Sequence, residues 1–158
     1  MRRLFLGMVT VSLLLGGCQS VPLKGGVTDQ GEKVYLTAEN EIPKSIEEFK
    51  RAQDLESEEG KISYLIYRVQ KSKVPFIRNG SRFTSQEASE FLRWKLERPR
   101  WRPLVKTARD FAIIITKGSV QSGQPYHVIL ANEAHHDLSA IMINELDFLE
   151  AYAKNNGK

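Results

Sequence analysis

Apolar positions return at helical spacing in three separate stretches of the chain. Ile62, Leu65, Ile66 and Val69 fall at i, i+3, i+4 and i+7, so one face predicts a core helix that follows Ser57 and ends before Pro75. Tyr64 and Tyr67 flank that face. Ala88, Phe91, Leu92 and Leu96 mark a second helix. Thr84 and Glu87 open it with capping-box spacing, and Phe83 and Ala88 stand where a hydrophobic staple would. Leu138, Ile141, Met142, Leu146 and Leu149 mark the last helix, which Asp137 caps and which runs to about Tyr152. Two weaker stretches complete the pattern. Ser45 and Glu48 have capping-box spacing ahead of a short stripe, Ile46 and Phe49. Thr107 and Asp110 precede Phe111, Ile113, Ile114 and Ile115, whose β-branched content would also suit a strand; the capping signal favours a helix, stopped by Gly118.

Between the first two core helices the periodicity breaks at Phe76-Ile77-Arg78-Asn79-Gly80-Ser81-Arg82-Phe83. Asn-Gly between short apolar flanks is the strongest local hairpin signal, because both residues tolerate positive φ. A turn-rich loop, Gly118 to Tyr126, follows the isoleucine run, and Tyr126 to Leu130 reads as extended. The expected fold is therefore mainly α: four to five helices in a single small domain over 45–152, with a short β-hairpin or turn at FIRNG. Residues 153–158 read as a tail.

Charge adds less than it first promises. The 158 residues carry 23 basic and 19 acidic side chains, but Arg2 and Arg3 sit in an acid-free amino-terminal stretch whose loss would halve the excess. No global nucleic-acid-binding charge remains. Six basic residues between Arg93 and Lys106, interleaved with Trp94 and Trp101, suit anionic lipid headgroups or acidic glycans. They suit equally a solvated helix end with tryptophans as core plugs. Arg78 and Arg82 have the geometry to bind an anion bidentately, or to tie the turn to Glu87 or Glu90.

Catalytic constellations are weak. Ser119 and Ser122 lack the G-x-S-x-G elbow, and no base is placed beside them. Glu133, His135, His136 and Asp137 lack the H-x-x-x-H ligand spacing and read as a solvated loop ending in a helix cap, so no metal and no cofactor is expected.

The amino terminus is the most specific signal. Met1 to Arg3 form a positive region and Leu4 to Leu15 an apolar one too short to span a bilayer; Leu15-Gly16-Gly17-Cys18 closes it. This resembles the bacterial lipobox, which implies cleavage of residues 1–17 and lipidation of Cys18. Gln19, in place of the Asp typical of inner-membrane retention, points to the periplasmic face of the outer membrane. Residues 18–44, with Pro22, Gly25, Gly26, Gly31 and Pro43, read as a flexible tether.

From Ile62 to about Leu149 the chain resembles the YfeK-like family of small Gram-negative envelope proteins of unknown function. The likeness rests on PFIRNG (Pro75 to Gly80), on EASEFLRWK (Glu87 to Lys95), on the aromatic helix start at Phe111 and on SGQPY (Ser122 to Tyr126). It implies a secreted, mostly helical domain without an assigned reaction. Two family features are missing: a cysteine just before FIRNG, where Val74 or its neighbour stands, and a histidine in the helix motif, where Phe91 stands. The expected function is a non-enzymatic binding or scaffold module for a periplasmic protein or anionic envelope component. Its surface would comprise Arg78, Asn79, Gly80, Arg82, Ser122, Gly123 and Tyr126. The alternative is a hydrolase or transferase in which Ser122 and Tyr126 converge with His127 or His135.

Overall fold

The computed structural model describes residues 21–156, so the leader and Cys18 lie outside the described residues. Its architecture corrects the mainly-α expectation. Among the described residues five helices are joined by a five-stranded mixed sheet, which makes the fold α/β. The strands are β1 (Leu23–Lys24), β2 (Phe76–Arg78), β3 (Ser81–Phe83), β4 (His127–Ile129) and β5 (His135–Asp137). Their order is β1-β5-β4-β2-β3, with β1 parallel to β5 and every other pair antiparallel. Strands of two or three residues are too short to show an alternating pattern, and two of the five, β1 and β5, came from stretches read as tether and loop.

The helices are α1 (Ile42–Lys50), α2 (Glu58–Lys71), α3 (Ser85–Glu97), α4 (Ala108–Asp110, continuing as a π turn over Phe111–Ile115) and α5 (Leu138–Asn156). Their starts follow the local chemistry. The Ser57 hydroxyl accepts from the Gly60 amide, both capping boxes close at Thr84–Glu87 and Thr107–Asp110, and Asp137 accepts from the Ala140 amide. Gly60 is obligatory there, because a Cβ would stand 1.8 Å from the Asp54 carbonyl oxygen. Ser45 does not cap a helix. Pro43 starts α1 earlier, which leaves Ser45 inside it to accept a hydrogen bond from Arg68. The predicted stripe of α2 is buried, and Tyr64 joins it at 0 % exposure instead of flanking it.

Residues 21–41 lie against the domain. β1 extends the sheet, Leu36 is buried, and α5 holds the segment by two adjacent polar side chains. Asn144 donates to the carbonyls of Gly26 (2.7 Å) and Val34 (2.9 Å), while Glu145 accepts the Leu36 amide (2.9 Å). Glu145 also forms a buried bidentate pair with Arg68 of α2, at 2.8 and 3.2 Å, and Arg68 reaches on to the hydroxyls of Ser45 and Thr37. One ion pair therefore ties α1, α2, α5 and the amino-terminal segment together.

Candidate functional site

The β2–β3 hairpin turns at Asn79 and Gly80 with φ of 51° and 77°, the left-handed pair that a two-residue hairpin of matching twist needs. The facing loop is a small hairpin of its own: Gly118 bridges Pro125, Ser119 accepts from Gly123, and Gly123 has φ 69°. Gly118 is fixed by close approach, since a Cβ would lie 2.5 Å from the Gln124 carbonyl oxygen. The two turns meet. The Ser122 hydroxyl donates to the Asn79 side-chain carbonyl at 2.7 Å. FIRNG and SGQPY thus form one corner, with Asn79, Gly80, Arg82, Ser122 and Gly123 exposed.

Tyr126 belongs to the inside of that corner. It is buried, its ring meets Phe91 edge-on at 5.7 Å, and its hydroxyl accepts from the Lys95 ammonium at 3.4 Å. Lys95, only 4 % exposed, was not among the residues expected in the site. Its ammonium also donates to the carbonyls of Ile115 (2.7 Å) and Gly118 (2.9 Å), and it lies over the rings of Trp101 and Tyr126. Burial, helped by the positive charge of Arg78, pulls its pKa down to about 8. Burial pushes the Tyr126 phenol up, against the opposing influence of Arg78. A signal for Lys95 does exist in the sequence. It falls seven residues after Ala88 and three after Leu92, a charge on an apolar stripe.

Arg78 stacks its guanidinium 4.2 Å from the centre of the Phe91 ring, Phe91 stacks on Trp94, and Arg98 lies 4.1 Å over Trp94. The outcome is a ladder of cations and rings that continues from the corner along α3. Phe91 is its central rung. Trp94 is half exposed, whereas Trp101 covers Lys95. Neither arginine of the hairpin is tied to an acid among the described residues. Glu87 is occupied by its cap at Thr84, and Glu90 accepts from Gln86.

The crevice between Arg78, Phe83, Phe91, Leu92, Tyr126 and Leu138 holds about 30 Å³, room for one water and not for a substrate. Ser122 is bonded to Asn79 and Tyr126 to Lys95, and among the described residues no hydrogen bond joins either to a histidine. His127 and His135 lie 5.0 Å apart on neighbouring strands. His135–Asp137 is a strand and not the expected loop; His136 is buried within it, and no group of metal-holding side chains occurs among the described residues. No helix among the described residues is long and apolar enough to cross a membrane.

Residues 56–150 match the profile of a family of unknown function (DUF5329). No curated protein and no solved structure matches the chain.

Proposed function

The chain belongs to DUF5329, a family of unknown function, and from that premise we propose that it is a lipid-anchored envelope module that binds a partner through the FIRNG–SGQPY corner and does not turn over a substrate. One observation carries this reading. Arg78 and Arg82 flank an exposed hairpin tip and are free of acidic partners among the described residues, so both can meet an anionic group. The partner is a periplasmic protein with an acidic patch, or an anionic component of the envelope. The crevice behind the corner, at about 30 Å³, is too small to take a substrate, which favours recognition at this place. The resemblance to YfeK-like envelope proteins at PFIRNG and SGQPY supports this address.

A photo-reactive residue placed at Ser81, at the exposed tip, tests the reading in cells. We expect a discrete crosslinked species, with yield falling about tenfold in Arg82→Ala, the cost of one charge-assisted contact. The melting temperature of Arg82→Ala should not move, because the side chain is exposed. Unchanged yield in that variant would remove the corner as the binding surface. The anchor has its own test. Cys18→Ser should accumulate as an unprocessed precursor, and mature-sized, membrane-bound protein from that variant would refute lipidation.

A further inference from the structure

We propose that the β1 edge of the sheet is the side that faces the lipid bilayer, and that the FIRNG–SGQPY corner points away from it. The inference rests on lipidation of Cys18 in the proposed function. Three observations carry it.

The first is chain length. β1 begins at Leu23, five residues after Cys18, and a chain at full extension spans about 3.5 Å per residue. The anchoring sulfur is then within about 18 Å of the sheet edge. Residues 21–41 do not serve as a spacer, because Asn144 and Glu145 hold Gly26, Val34 and Leu36 through hydrogen bonds to their backbone. To free the segment costs those bonds, the Leu36 side chain and the pairing of β1 with β5.

The second is topology. In the order β1-β5-β4-β2-β3 the anchored strand is one edge and β3 of the hairpin is the other. Four inter-strand steps at about 4.8 Å put roughly 19 Å of sheet between them. β1, the described strand nearest Cys18 in sequence, and β3 of the corner are as far apart as this sheet permits.

The third is surface chemistry. Val21, Leu23 and Val27 are among the few large apolar side chains left exposed among the described residues, and all three fall within this short segment. Lys24 and Lys33 stand on the same segment, paired with Asp29 and Asp147. The apolar side chains carry this observation, because they suit the headgroup boundary; Asp29, Glu32, Glu39 and Glu41 outnumber the two lysines on the segment, so net charge adds nothing to it.

The lysines report the orientation without mutation. The mature lipidated protein is reconstituted in phosphatidylethanolamine–phosphatidylglycerol vesicles, and lysine acetylation rates are read by mass spectrometry. The same chain from residue 18, made without a leader and never acylated, is the reference. We expect Lys24 and Lys33 to react about fivefold more slowly on vesicles, the factor that ~1 kcal/mol of headgroup attraction removes from the free amine. Lys71 and Lys73, beside β2, should be unchanged. Equal slowing at all four, or slowing at Lys71 and Lys73 or at Lys106 in place of Lys24 and Lys33, overturns the orientation while leaving the anchor intact. An intact mass without acyl chains at Cys18 overturns the anchor itself, and the orientation with it.

Discussion

Glu145→Ala is expected to lower the unfolding free energy by about 3–5 kcal/mol, the cost of leaving one partner of a buried ion pair uncompensated. Arg68 and Glu145 are 1 % and 0 % exposed at their side chains, so water cannot reach the guanidinium that remains. The loss is large beside the ~5–15 kcal/mol that holds a domain of this size together. It is also spread in space. Glu145 accepts the Leu36 amide, and Arg68 donates to Ser45 and Thr37, so amino-terminal segment, α1 and α2 loosen together. Chemical denaturation measures the loss, and hydrogen exchange at Leu36 should rise before that of α3. The double variant Arg68→Met/Glu145→Leu should recover part of the stability, because it removes both charges and keeps the volume. A double variant worse than the sum of the two single changes would mean that the pair is not the junction described.

Lys95 should make the stability of the domain rise with pH. Its folded-state pKa of about 8 lies below the ordinary 10.5. Between those values the unfolded chain holds a proton that the folded chain has shed, and stability increases as pH rises. From pH 8 to 10 the wild type should gain about 2 kcal/mol relative to Lys95→Met, at 1.36 kcal/mol per pKa unit. The window closes near pH 10 because burial raises the phenols of Tyr64 and Tyr126, and folded-state phenols raised in this way favour unfolding above that point. Both phenols persist in Lys95→Met, so the difference between the two curves isolates the lysine. Parallel curves would show that Lys95 stays charged throughout, held by its two carbonyls and the Tyr126 hydroxyl.

The residues that both predictions concern were legible in the sequence in one sense only. Glu145 falls seven positions after Leu138 and four after Ile141, so it stands on the apolar stripe of α5 as Lys95 stands on that of α3. A charge on an apolar stripe marks a buried partner, but spacing within one helix cannot say which. Arg68 supplied that partner from α2, and two backbone carbonyls supplied it for Lys95. Apart from α1, which Pro43 starts ahead of the expected Ser45 cap, the helices followed from periodicity and capping, since a stripe and a cap are local. The hairpin at Asn79-Gly80 was legible for the same reason. The sheet was not. β1 and β5 are joined by pairing across most of the chain, Leu23 with His135 and Lys24 with His136, and neither segment carries a run of strand-forming residues. The facing of FIRNG and SGQPY came from the resemblance to a family, and the Asn79–Ser122 hydrogen bond supplies its physical form.

The position of β1 also sets an order in time. A chain exported amino end first delivers Gly26, Val34 and Leu36 before Asn144 and Glu145 exist to grip them, and β1 before its only neighbour in the sheet. Contacts so distant in sequence form late, after the helices whose contacts are near. On the lipoprotein reading, acylation at Cys18 then acts on a loose amino end. With Cys18 lipidated as proposed, the arrival of α5 is the step that draws the finished domain towards that anchor.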